Sequence, residues 1–183
     1  MTPRSVLNWM ALGLVGLVGC QQAPAYAEPT GASGTIEFCG QSLDLKTTEV
    51  KCTRADVTDL SPLSGLTGLT KLDLAGSTVS DLSPLAGLTG LTELYFFFAP
   101  VSDLRPLSGL TGLTSLGLSY TQVTDLSPLS GLIGLTELYL VGTPVSDLRP
   151  LSGLTGLTTL HLSRTGVGDL SPLSGLTGLT ELV

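Results

Sequence analysis

A chain of 183 residues with formal net charge −7 and only eight Lys and Arg lacks the basic footprint that a phosphate backbone requires, so nucleic acid is excluded as a partner. A single His, His161, and three Cys leave few groups that titrate near neutral pH, so the residues offer no metal site, no cofactor site and no catalytic set. No stretch reaches the roughly 20 apolar residues that a spanning helix needs.

Residues 1–19 have the anatomy of an export signal: Arg4, an apolar run from Val6 to Val18, then the small Gly19. Leu17-Val18-Gly19-Cys20 resembles the lipobox of bacterial lipoproteins. The resemblance implies cleavage before Cys20 and acylation of Cys20, giving an anchor in which each buried CH₂ contributes about 0.8 kcal/mol. Gln21 stands where an Asp often retains Gram-negative lipoproteins at the inner membrane, so the expected address is the outer membrane. Residues 20–33, rich in small residues and Pro, form a tether with a reach of roughly 20 Å.

Residues 34–46 read as an N-terminal cap, and from Thr47 to Val183 the chain repeats itself every 22 residues. Units start at Thr47, Leu69, Leu91, Leu113, Leu135, Leu157 and Leu179, giving six full units and a partial seventh, with the consensus LTxLxLxxTxVxDLxPLxGLTG. A fixed period without insertions is the signature of a solenoid. Within the third unit, Val101, Leu104, Leu107, Leu110 and Leu113 recur every three residues, the period of 3₁₀ or polyproline-like backbone. Leu116 and Leu118 then alternate as in a strand. One coil is therefore a short strand, a turn and a tight return, and stacking buries its leucines in rows worth roughly 1.5–3 kcal/mol per side chain. Gly90, Gly112 and their equivalents are expected to allow the tight turn into each strand.

These units resemble the 22-residue leucine-rich repeats of internalin-like bacterial proteins. The resemblance implies an α/β fold: a short right-handed horseshoe with a parallel sheet on the concave face and 3₁₀ or extended segments on the convex face. Where that family carries a ladder of buried Asn at the ninth position, this chain has Ala55, Ser77, Ala99, Thr121, Thr143 and Thr165; the Ser and Thr hydroxyls are expected to continue the ladder and the two Ala positions to interrupt it. The immunoglobulin-like extension and wall-sorting motif of secreted internalins are not in the sequence, so host-cell invasion is not part of the expectation.

Cys39 and Cys52 remain once Cys20 is lipidated, and Cys52 sits where later units have Leu74, Phe96 and Leu118. In an oxidising compartment they predict a disulfide closing the cap, the alternative being two buried thiols. The seventh unit stops after five residues, so Leu160, Leu162 and Leu182 are expected to lie bare, and the open coil to promote self-association. The Asp column (Asp59, Asp81, Asp103, Asp125, Asp147, Asp169) suits Asx turns better than cation binding, which needs several oxygen ligands per coil.

Variation between units is concentrated at outward strand positions, while the return segments are nearly invariant. That pattern places a recognition surface on the concave face, at Lys71, Asp73, Tyr95, Phe97, Gly117, Tyr139 and His161, for a protein or peptide partner. Tyr95 and Tyr139 share a column two strands apart with Gly117 between them, which leaves two arrangements: a slot for a partner's ring, or, slightly favoured, rings that lean on one another and shield the sheet. The alternatives are an adhesive protein contacting wall glycan and a truncated repeat protein with no partner.

Overall fold

The computed structural model describes residues 34–53 and 56–183; Cys20, the tether and Ala55 lie outside them. The cap is an antiparallel hairpin, β1 (Thr35–Phe38) and β2 (Gln41–Asp44), turning through Cys39 and Gly40, both at positive φ. Seven strands follow in one parallel sheet in sequence order: β3 (Glu49–Lys51), β4 (Lys71–Asp73), β5 (Glu93–Tyr95), β6 (Ser115–Gly117), β7 (Glu137–Tyr139), β8 (Thr159–His161) and β9 (Glu181–Leu182). Register is set by the 22-residue period, each residue pairing with its equivalent one coil on, as Leu94 with Leu116 and Leu116 with Leu138.

Each return path holds one 3₁₀ turn, such as Arg105–Leu107, with Pro in its first two positions, where the missing N–H costs no hydrogen bond. The Asp column starts these turns as expected: Asp59, Asp81, Asp103, Asp125, Asp147 and Asp169 each accept, through Oδ1, the backbone N–H two residues on at 2.8–2.9 Å. Arg105 and Arg149 pair with Asp103 and Asp147 of their own coil, and the guanidinium hydrogen bonds hold those two carboxyls down at about 2.

The core is the stack of inward leucines and valines; the three-residue row Val101, Leu104, Leu107, Leu110, Leu113 and the alternating Leu116 and Leu118 are all buried. The polar bracing differs from the expectation. Thr121, Thr143 and Thr165 donate to carbonyls of their own coil (Leu118, Leu140 and Leu162) at 2.6–2.7 Å, and the buried Ser77 hydroxyl has no partner among the described residues. Among the described residues no ladder between coils runs through the ninth position. It runs instead through the second position, where Thr70, Thr92, Thr114, Thr136, Thr158 and Thr180 donate to the carbonyl of the residue one coil earlier at 3.0–3.2 Å.

Two further expectations are corrected. Gly90 and Gly112 are not needed for a left-handed turn; a Cβ there would lie 3.3–3.4 Å from carbonyl oxygens of the preceding coil, so glycine serves the close approach of stacked backbones. Leu160 and Leu162 are buried rather than bare, because β9 and Val183 pair beside them, and only Leu182 at the outer position is half exposed. Cys39 and Cys52 form a disulfide with Cα atoms 6.0 Å apart, and Cys52 is buried at the head of the leucine row.

Candidate partner-binding face

Three-residue strands present their two end residues outward on either side of a buried centre, so the strand face consists of two columns. One runs Glu49, Lys71, Glu93, Ser115, Glu137, Thr159, Glu181; the other runs Lys51, Asp73, Tyr95, Gly117, Tyr139, His161. The second residue after each strand adds a third, to which Phe97 belongs.

The sheet brings five of the seven expected residues into one row. Tyr95 stacks on Phe97 with ring centres 5.7 Å apart, Phe97 meets Tyr139 edge-on at 6.1 Å, and Tyr139 meets His161 edge-on at 5.0 Å. Gly117 lies beneath. Of the two arrangements the structure has the leaning rings rather than an open slot, with Phe97 crossing the gap between the tyrosines: a Cβ on Gly117 would collide with Phe97 Cζ and lie 2.8 Å from Tyr95 Cδ1. Ring–ring attraction closes the gap from within, and the face offers a continuous aromatic ridge rather than a cleft. Lys71 extends the ridge, its ammonium 5.8 Å from the Tyr95 ring centre. Asp73 stands apart from the rings; it is paired with Lys51 at 3.4 Å and lines a shallow hollow with Gln41, Glu49 and Lys71 at the N-terminal end.

A row of carboxylates flanks the ridge. Lys71 pairs with Glu93, which raises the ammonium pKa and lowers the carboxyl. The Tyr95 hydroxyl lies 3.1 Å from both Glu93 Oε2 and Ser115 Oγ, its one proton shared between them, and Ser115 Oγ donates to Glu137 Oε2 at 2.9 Å. Burial pushes both tyrosine hydroxyls up, and Glu137 adds to the effect at Tyr139. His161 Nε2 shares a 2.8 Å hydrogen bond with Glu181 Oε1, one coil on and one column across, a diagonal partner that the sequence reading did not supply.

A second aromatic feature was also missed. At the eighth position of successive coils Gly76, Phe98, Tyr120, Gly142 and Arg164 all have positive φ, between 59° and 73°. The amides of Gly76, Phe98, Tyr120 and Gly142 are tied to the next coil, as Phe98 N–H to Ser119 O and Tyr120 N–H to Val141 O, and Arg164 keeps the same left-handed conformation in the last full coil. Phe98 and Tyr120 accept it while 66% and 41% exposed, stacked on each other at 4.7 Å with planes 5° apart. The signal in the sequence was the alternation of Gly with bulky residues at this position.

Left-handed backbone costs a non-glycine residue about 1–2 kcal/mol, more than the 0.5–1.5 kcal/mol that an aromatic pair returns. Changing Phe98 and Tyr120 together to Gly is therefore expected to leave the thermal unfolding midpoint unchanged or higher. A drop of several degrees, followed by circular dichroism, would show that the pair serves the fold.

Residues 111–154 and 133–175 each match a family model of leucine-rich repeats in two copies. No curated protein matches the sequence significantly. Among solved structures, an internalin (InlF) from Listeria monocytogenes aligns with TM-score 0.70 and 32% identity over 78% of this chain, which spans half of that structure's length. Internalin C2 from the same species aligns with TM-score 0.63 and 27% identity, covering 79% of this chain and 85% of the other. The fold is a leucine-rich repeat solenoid, similar to those of Listeria internalins.

Proposed function

We propose that the protein is an exported lipoprotein, anchored through acyl chains on Cys20 to the outer membrane, whose leucine-rich repeats bind a protein or peptide partner on the strand face. The observation that carries the binding role is the ridge of Tyr95, Phe97, Tyr139 and His161, rings held against one another yet turned outward. Rings already packed together lose little further freedom on binding, which makes them efficient anchors for a partner. The variable strand face against a near-invariant return side supports the same assignment, as does the likeness to internalins. The anchor rests on the LVGC motif and the outer-membrane address on Gln21.

Contact with a wall glycan is a second reading, favoured by the Phe98–Tyr120 stack, an exposed flat surface on which a sugar ring can lie.

Affinity capture with crosslinking from membranes tests the first reading. Changing Tyr95 and Tyr139 to Ala should weaken capture by more than tenfold, about 1.4 kcal/mol, relative to the convex-side control Arg105→Ala. Equal losses in both variants would indicate general destabilisation, and undiminished capture by the tyrosine variant would remove the site.

A further inference from the structure

The strand face contains one arrangement twice, two coils apart. In the first copy Lys71, Glu93 and Tyr95 are drawn together: the Lys71 ammonium lies 2.5 Å from Glu93 Oε2 and 5.8 Å from the Tyr95 ring centre, and the Tyr95 hydroxyl donates to the same carboxylate. In the second copy Ser115, Glu137 and Tyr139 occupy the corresponding register positions on β6 and β7. The tyrosine–glutamate contact recurs, Tyr139 OH donating to Glu137 Oε2 at 3.3 Å. The lysine does not; Ser115 stands in its place.

Among the described residues Glu137 consequently has hydroxyl donors and no cation partner, and both donors act on Oε2, so that Oε1 accepts no hydrogen bond from them. Nearby acids on the same face are matched from within, Asp73 by Lys51 and Glu181 by His161. A half-buried carboxylate beside an aromatic ring is a strong attractor for a cation, since the carboxylate supplies a charge-assisted hydrogen bond and the ring a cation–π contact. Lys71 is the internal template: a compact ammonium with three donors that meets a carboxylate and a ring together.

We infer that Glu137 and Tyr139 receive a primary ammonium group of the partner, a lysine side chain, in the way that Glu93 and Tyr95 receive Lys71. The site deepens the reading of the strand face as the binding surface and rests on it. It gives the aromatic ridge a polar anchor at its middle, so the partner segment pairs apolar or ring side chains with at least one lysine two coils beyond Lys71.

The probe is N-acetyl-lysine methylamide, titrated into the isotope-labelled full chain and followed by nuclear magnetic resonance. Saturable shifts are expected at residues 115–117 and 137–139, with none from the N-acetyl-norleucine analogue, which has the same stem without the charge. Glu137→Gln keeps an acceptor for Ser115 and Tyr139 and should weaken the probe at least tenfold, whereas Glu37→Gln on the cap, an equal change in net charge, should not. Ser115→Lys supplies the cation from within and should also suppress the response. The inference is overturned by an equal response to norleucine, or by an undiminished response in a folded Glu137→Gln chain. If the tyrosine double variant loses partner capture while Glu137→Gln retains it, the strand face stands and the lysine site falls. If the probe binds at Glu137 but capture ignores the tyrosines, the ammonium site stands and the partner reading falls.

Discussion

Truncating Leu116 to Ala is expected to lower stability by about 2–5 kcal/mol, the range for a large buried aliphatic side chain reduced to a methyl group. Leu116 is the central residue of β6, fully buried, with Leu94 and Leu138 as its register partners on either side. In a solenoid each coil is held mainly by its two neighbours, so a defect here weakens two interfaces at once and divides the stack. A whole domain has only about 5–15 kcal/mol to lose. Urea unfolding followed by circular dichroism should show an earlier and broader transition, while Leu182→Ala, at the half-exposed outer strand, should change little. A loss below about 1 kcal/mol for Leu116→Ala would mean that the leucine rows are not what holds the coils together.

Removing the Cys39–Cys52 bridge, by Cys39→Ser with Cys52→Ala, is expected to cost about 3 kcal/mol on the chain-entropy account of a loop of this size. The bridge ties the β1–β2 hairpin over the first coil, where Phe38, Leu43 and Val50 are buried. Without it the hairpin is a two-stranded element with little apolar cover of its own, and such elements are marginal in water. Loss should therefore concentrate at the N-terminal edge, as faster amide exchange in β1 to β3 with β6 to β8 still protected. Unchanged exchange at that edge, or alkylation of both thiols in the native oxidised protein, would contradict this role.

The repeat made most of the fold readable. A side chain buried once can be buried for many reasons, but apolar residues, mostly Leu, at the same two strand positions and the same three-residue steps in six successive coils have one common explanation, and the strands fall where that alternation places them. The Asp column was also legible, because its chemistry acts over two residues and needs no knowledge of neighbours. What stayed hidden depended on conformations or on diagonal reach. Phe97 and Gly117 were visible as neighbours in adjacent columns, yet whether the ring leaned over the glycine is a rotamer choice made by the attraction of Tyr95 and Tyr139. His161 finds Glu181 across both a coil and a column. Phe98 and Tyr120 defeat the usual cue for positive φ, because two of their counterparts are Gly and they are not.

The ladder was misplaced for a related reason. A hydroxyl on a short side chain reaches the carbonyl three residues back in its own coil more readily than a group one coil away, so Thr121 and Thr143 turn inward on themselves. The threonine at the second position bridges the coils instead.

Recognition through the aromatic strand face is tested most directly by placing a photocrosslinking amino acid at single positions and identifying adducts formed in membranes. Thr159 lies on β8 beside the ridge, and Ser152 is exposed on the opposite, return side of the same solenoid. The predicted result is a discrete partner adduct from position 159 that Tyr95→Ala with Tyr139→Ala removes, with none from position 152. Adducts from position 152 alone, or adducts from 159 that persist without the tyrosines, would contradict it.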